Sequence, residues 1–575
     1  MRVAFVLILV AALIGFSQTP APAPGAGNRP AVSSSVRLED WALFRSAASP
    51  ILGWKVGVPA RAFLQLTFSE AAARADALGL AAIEGFSGQK FSAEIPKNLD
   101  YRLTSNEREA VRDRLRALNL RMPAYFTATI GPDEASSRAV FEFAKSFGVE
   151  TIVGSPDPAS LPMIDKLATE FGVNVALSNS RGPKGLLQAL EGRSKRIGAN
   201  VDLAAWLQEG IKPVEGLTIL KDRVLTVNLR DRIAPGSLSE FIRDLYRLEI
   251  KPSFITVDTT AAKDPAIELA RSFENLDKAL HPVITDRVNE LSRTAAIRGP
   301  DRLSAEDRQK IEAALPQRAS AKPKKPRKLL VLDLNVAYGG HRSIPHANLA
   351  VELMGKRTGA YEAVFSNDLD NLKYGKIRQF DAVYLNNTVG MVFVDPEVRD
   401  GLTRFVREGG GLAGNHGVSH ASMDWPEFGE MIGTKWGVHR EPTEQATIRI
   451  DDPNHPLTAA FHGKEFVYQD EFFRFPIGPY SRDKLRVLLS IDVEKTDMNQ
   501  GRPCAKPCVR ADQDYAVSWI HNYGKGRVFF CILGHNPTLY MTPSLAEYFL
   551  AGIQFILGDL EADTTPSAKL AAKAK

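Results

Sequence analysis

From about Trp41 to about Leu291, short apolar runs alternate with amphipathic helical segments. The runs are GWKVGV (53–58), LAAIEGF (80–86), LRMPAYFTA (120–128), VETIVGS (149–155), VNVALSN (173–179), IGANVDL (197–203), RVLTVNL (223–229) and PSFITVD (252–258). Runs of this kind predict strands buried on both faces, as in a parallel sheet. Between them, SEAAARADALG (69–79) and SSRAVFEFAKSFG (136–148) space their apolar residues as a helix does, and the second stops at a glycine in the C-cap manner. Eight strand–helix units over about 250 residues predict a (β/α)8 TIM barrel, whose site would lie at the C-terminal ends of its strands.

The pattern changes after Thr294. A charged helical segment, SAEDRQKIEAALPQ (304–317), gives way to the basic run AKPKKPRK, Ala321 to Lys328, and a second α/β unit starts at once with KLLVLDLN (328–335). FDAVYLNN (380–387), the helix DPEVRDGLTRFVREGG (395–410) and the strand GLAGN (411–415) follow, and then ATIRI (446–450), KLRVLLSI (484–491), YAVSWI (515–520) and RVFFCIL (527–533). This order predicts a doubly wound α/β sheet with antiparallel additions. The expected organisation is a signal peptide at 1–23, a flexible tether at 24–40, the barrel at 41–292, a helical and basic linker at 293–327, the second domain at 328–560 and a disordered tail at 561–575.

Composition fits two globular domains: the 575 residues are 44% hydrophobic and 24% charged, with a formal charge of +5. Part of that excess sits in the basic run, which has no aromatic residues interleaved and so reads as a solvated linker, with no nucleic-acid partner expected. At the start, Arg2 precedes an unbroken apolar stretch from Val3 to Phe16, with small residues near a cut after Ser17 or Ala23. This is the make-up of a signal peptide and is short for a membrane span of about 20 residues, an uncleaved anchor being the alternative. The mature protein is therefore expected to be exported, periplasmic or secreted, with no membrane span. Only three cysteines occur. Cys504 and Cys508 could close a small disulfide loop or form half of a metal pair, and Cys531 reads as a buried thiol.

Histidine placement changes the picture most. Of ten histidines only His281 precedes the linker, while His341, His346, His416, His420, His439, His455, His462, His521 and His535 follow it. Imidazole chemistry, acid–base or metal, belongs to the second domain. His416 stands at the tip of GGGLAGNHGVSH (409–420), which reads as a buried strand entering a tight turn.

FSGQKFS (86–92), NVDLAAWLQEGIKPVEGLTILKDRVLTVNLRD (200–231) and the strand ends resemble the xylose isomerase-like sugar phosphate isomerase/epimerase family. The resemblance implies a divalent metal held by two acidic residues, an Asp and a His. Here the strand-five Glu-Asn-His becomes Ser178-Asn179-Ser180, strand six keeps Asp202 but has Ala205 for the histidine, strand seven reads Asn228-Leu229-Arg230-Asp231, and the strand-eight Glu becomes Asp258. Two Asp are too few for a hard cation, so metal-dependent isomerisation is not expected. Glu84, Asp202, Asn228 and Asp231 remain as groups that either hydrogen-bond a saccharide or hold loops, and a metal-free epimerase or lyase using Glu84 and Asp202 is an alternative.

GGHRSI (339–344), FDAVYLNNTVG (380–390), FVREGGGLAGNHG (405–417), DWPEFGEMIG (424–433), VHR (438–440), DPNHPLT (452–458), YQDEFFRF (468–475), YAVSWIHNYGKGRVFF (515–530) and LGHNP (533–537) resemble the ThuA-like, trehalose-utilisation family. The implied fold is that of class I glutamine amidotransferases, with His416 where those enzymes carry a nucleophilic Cys, so glutaminase chemistry is not expected. His341, His416 and His535 are expected to border the crevice at strand ends, and His439 and Glu471 to cover it. The set suits general acid–base catalysis or a divalent metal, and spacing does not choose between them. Asp424 and Trp425 are expected to form a sugar-stacking platform or to anchor a loop, while His455 and His462 read as turn and surface residues and His521 as a strand-end packing residue. The expected substrate is a small-molecule carbohydrate, a glycoside or keto-sugar. The alternative is a non-catalytic saccharide-binding scaffold. Oligomeric state is not legible.

Overall fold

A computed structural model describes residues 38–573 apart from 132, 179–181, 231–232, 260–264, 436, 477–479 and 502–509, and the side chains of 45–570 within those limits. The residues expected to form a signal peptide and most of those expected as a tether, with Asn179, Ser180, Asp231, Cys504 and Cys508, lie outside the described residues. The chain divides into two compact units, Met1–Ile284 and Thr285–Lys575.

In the first unit β1 (Val56–Pro59), β2 (Ile83–Phe86), β3 (Ala124–Phe126), β4 (Thr151–Gly154), β5 (Asn174–Leu177), β6 (Ile197–Asp202), β7 (Val224–Arg230) and β8 (Phe254–Asp258) form a closed barrel. Every neighbouring pair is parallel, and Val56 and Gly57 pair with Ile255 and Thr256 to close it. Each of the eight apolar runs supplies one strand. Ala82, Ala124, Val153, Ala176 and Phe254 pack together inside, with Phe126 and Leu225 against them. Small side chains beside one large ring fill a barrel this narrow. Gly57 shows how tightly: a Cβ there would lie 2.4 Å from the Ala82 carbonyl oxygen.

The second unit is a nine-stranded mixed sheet. Its strands are β9 (Lys328–Leu332), β10 (Glu362–Phe365), β11 (Ala382–Asn386), β12 (Gly411–Asn415), β13 (Glu444–Ile450), β14 (Phe466–Asp470), β15 (Arg486–Ile491), β16 (Ala516–Tyr523) and β17 (Gly526–Cys531). Their order is β10-β9-β11-β12-β17-β16-β15-β13-β14. The first five are mutually parallel and the rest pair antiparallel. From β9 the chain turns outward to β10 and then returns to β11, which leaves a crevice at the C-terminal ends of β9 and β11. Helix Pro396–Glu408, capped by the Asp395 side chain on Glu397 N–H, delivers the chain to β12.

Two expectations about the linking segments need correction. The basic run is not merely solvated: Arg327 pairs with Asp559 at 2.6 Å and Asp381 at 3.1 Å, so it is stitched to the second unit. The tail is ordered through helix Ser567–Lys573, and Ser567 N–H donates to the Leu485 carbonyl at 3.0 Å. Among the described residues no helix is long and apolar enough to cross a membrane.

Candidate active site

Strand β12 ends at Asn415, and the next residue, His416, takes φ +42° as the chain folds into a short 3-10 turn, His416–His420. A left-handed residue that is not glycine is uncommon, and here it swings the imidazole to the C-terminal edge of the sheet. The turn tolerates no bulk beside it: a Cβ on Gly417 would lie 2.6 Å from Val389 and 3.0 Å from His341 Cε1.

Around this elbow the other expected residues gather. His341 lies on the connection after β9, His535 follows β17, and Glu471 follows β14. One ligating atom from each of His341, His416, Glu471 and His535 lies within 4.8 Å of the others. The three imidazoles stand nearly perpendicular to one another, with centroids 4.7 to 5.2 Å apart. His439 joins through Glu471, its Nδ1 2.9 Å from Oε1, and is about a third exposed. All five residues expected from the sequence thus meet in one place.

Hydrogen bonds fix how these rings face. His416 Nδ1–H donates to the Ile532 carbonyl at 2.9 Å, which turns Nε2 toward the centre. That Nε2 is buried, has no hydrogen-bond partner within the chain and lies 3.4 Å from Glu471 Oε2. Asn536 gives its amide protons to the Pro442 and Gln469 carbonyls, so its Oδ1, 3.3 Å from His535 Nδ1, must accept. His535 Nε2 is free as a result. His341 Nδ1 is also buried without a partner, while Nε2 lies 3.4 Å from the Tyr338 hydroxyl.

Electrostatics follow from this crowding. Burial and the neighbouring imidazoles His416 and His535 pull His341 down to about 2. Burial pushes the Glu471 carboxyl up, but His416 and His439 outweigh it and hold it below the usual carboxylate range. Burial likewise works against the His439 cation, yet its bond to Glu471 raises it. The centre therefore combines one carboxylate, one imidazole favoured as a cation and an inner imidazole held neutral.

The sequence did not single out several residues that hold this arrangement. Asp470 is fully buried and accepts N–H bonds from Gly534 (2.8 Å), Asn536 (2.9 Å) and Glu471 (3.0 Å), tying the His535 loop to Glu471. Asn387 accepts from Gly417 N–H at 3.2 Å and donates to the Gly534 carbonyl at 3.2 Å, which links the elbow to the same loop. Phe473 stacks on His416 at 4.7 Å and touches His420 and His439. For Asp470 and Phe473 the sequence signal was proximity, since Asp470 precedes Glu471 and Phe473 lies two residues after it in YQDEFFRF.

Other expected residues fall elsewhere. Asp424 and Trp425 do not form a sugar platform. Asp424 is buried against Arg399, and Trp425 is 6% exposed, packed on Phe428 and Phe393. His420 donates Nε2–H to the Gly437 carbonyl and orients backbone. His455 is not a surface residue but is buried and caps a turn through Leu457 N–H. His521 packs at the end of β16, on the Met431 carbonyl.

In the barrel, Arg61, just after β1, reaches Glu84 of β2 and Asp258 at the end of β8, and lies over the Phe126 ring at 4.6 Å. A guanidinium thus sits between the carboxylates that would otherwise face a cation. Burial raises the Glu84 carboxyl against the pull of Arg61. Asp202 accepts from Ala205 N–H at 3.1 Å and pairs with Arg230 at 2.6 Å, and Asn228 bonds Thr256.

The family model described as trehalose utilisation matches residues 328–556. The second unit carries a ThuA domain. No curated protein matches the chain. Among solved structures, an uncharacterized protein from Parabacteroides distasonis is 25% identical, covering 39% of this chain and 98% of its own, with a TM-score of 0.36. A ThuA-like protein from Bacteroides uniformis is 18% identical, covering 41% and 93%, with a TM-score of 0.35. The barrel matches a sugar phosphate isomerase/epimerase from P. distasonis at 12% identity, covering 39% and 94%, with a TM-score of 0.31. The histidine elbow belongs to the ThuA domain, and the barrel architecture stands on its own closed strand order.

Proposed function

We propose that the protein is an exported carbohydrate-processing enzyme whose ThuA domain acts on a glycoside or keto-sugar. His439 and Glu471 move protons to and from the sugar, beside a carbonyl or at a hydroxyl, while His341, His416 and His535 shape the inner wall. The observation that carries this reading is the convergence of four ligating atoms within 4.8 Å, with His439 bound to the same carboxylate. His439 Nδ1 and Glu471 Oε1, 2.9 Å apart, are within the hydrogen-bond reach that direct proton transfer between them requires. The trehalose-utilisation family supports the sugar class.

The barrel serves binding in this reading. Its Glu84 and Asp202 each carry a guanidinium partner, which suits hydrogen bonding to a saccharide better than abstraction of a proton.

The test is turnover. Purified protein is incubated with disaccharides and their keto derivatives, and products are read by chromatography and mass spectrometry. Conversion by the wild type, with a loss of at least about 100-fold in His439→Ala and in His416→Ala at unchanged circular dichroism, is the expected result. Equal turnover in the variants, or none in the wild type across the panel, removes the proposal.

A further inference from the structure

We infer that His341, His416, His535 and Glu471 form a binding site for one divalent transition-metal ion of the zinc class. The inference deepens the reading above by naming an ion at the same centre, but it rests on geometry alone and stands without any sugar substrate.

The convergence of the four ligating atoms carries most of the weight. His416 commits Nδ1–H to a backbone carbonyl and turns its buried Nε2 to Glu471 Oε2 at 3.4 Å. Both atoms are buried and face the point where the four ligating atoms converge, a place that suits a cation. In a tetrahedral site with bonds of about 2.1 Å, neighbouring ligand atoms lie about 3.4 Å apart, so this pair already has that spacing. The widest separation in the set, 4.8 Å, closes to it with a shift of under about 1 Å at each ligand.

The outer contacts match what metal ligands require. A ligating imidazole fixes its other nitrogen on a carbonyl or carboxylate, as His416 does on Ile532 and His535 on the Asn536 amide oxygen. Glu471 gives Oε1 to His439 at 2.9 Å and keeps Oε2 for the ion. Asp470 holds the two loops that bring Glu471 and His535 together. Three nitrogens and one oxygen select a borderline ion over calcium or magnesium, which take oxygen ligands. His439, partly exposed beside Glu471, marks the side from which a sugar oxygen would approach.

The experiment uses the purified full chain, stripped with a chelator, reloaded with zinc and read by elemental analysis and titration calorimetry. One equivalent of zinc in the wild type, with affinity lowered at least about 100-fold in His416→Ala and His535→Ala, is expected. His462→Ala, at an exposed turn, and the Cys504→Ser/Cys508→Ser pair keep full stoichiometry. X-ray absorption of the zinc-loaded wild type covers the case of a variant that fails to fold, and shows nitrogen and oxygen ligands with no sulfur. No zinc uptake by the folded wild type, a sulfur-containing first shell, or full stoichiometry in the folded His416→Ala/His535→Ala double variant each overturns the inference. Zinc binding without sugar turnover leaves the site standing and sinks the catalytic reading instead.

Discussion

Asp470→Asn isolates how the centre is held, because it changes one buried atom and no residue placed in contact with substrate. The carboxylate of Asp470 takes three backbone N–H groups: Oδ2 takes Gly534, and Oδ1 takes Asn536 and Glu471. An asparagine keeps the shape but must aim its amide N–H2 at one side. The cheaper orientation keeps both Oδ1 bonds and sets the amide against Gly534 N–H, donor to donor. A hydrogen bond to a charged group contributes about 1.5–3 kcal/mol, and the stranded buried donor adds about 1–3 kcal/mol, so a loss of roughly 3–5 kcal/mol is expected. For a domain of this size each kcal/mol moves Tm by about 2–4 °C, which predicts a drop of about 6–20 °C in the second unit's calorimetric transition. The His535 loop keeps its bond through Asn536 but loses the one at Gly534 in the same step, so zinc affinity falls as well. An unchanged Tm with unchanged zinc affinity would refute the claim that Asp470 joins the two loops.

Arg61→Met strips Glu84 and Asp258 of their shared cation and is expected to cost about 3–5 kcal/mol in urea unfolding, with part recovered by adding Glu84→Gln. A silent Arg61→Met would show that the guanidinium is not what the two barrel carboxylates rely on. Trp425→Ala opens a cavity beside Phe393 and Phe428 and should lower stability by about 3–5 kcal/mol while leaving saccharide affinity unchanged, since no face of the ring is open. Weaker sugar binding at unchanged stability would contradict that. Burial pushes the Cys531 thiol up to about 12, so at pH 8 native protein treated with iodoacetamide should carry no adduct at that position by peptide mass spectrometry, and unfolded protein should carry one.

The eight barrel strands could be read from the chain because each is buried on both sides and shows as an apolar run. The strands that escaped, β10 (EAVF) and β14 (FVYQD), are the two edges of the nine-stranded sheet, where one side faces solvent and the apolar signal breaks. The tail was hidden too, because no apolar run marks its backbone bond to Leu485, just before β15. Histidine count and placement found the centre, since imidazole is costly to cluster without a use. Its supports stayed hidden because Asp470 and Asn387 act by accepting backbone N–H groups from loops far along the chain, Asp470 from Gly534 and Asn387 from Gly417, and no periodicity reports that. Arg61 was hidden likewise: its partners are 23 and 197 residues away. Trp425 misled because an indole beside an aspartate reads the same whether it faces a sugar or a core.

At the elbow, His416 does not stand in for the missing thiol as a nucleophile. A nucleophile must be reached, attack and later release its acyl group, and His416 can do none of these while fully buried, stacked on Phe473 and bound through Nδ1 to a carbonyl. The strained φ of +42° is nonetheless kept, at a cost of about 1–3 kcal/mol for a residue that is not glycine. What that strain secures is direction: a buried Nε2 fixed opposite a carboxylate and between two other imidazoles. On the proposed reading, the shared point, with its ligating atoms within 4.8 Å of one another, takes one ion or one oxygen atom, and a substrate would present its reacting oxygen there with His439 at the open side.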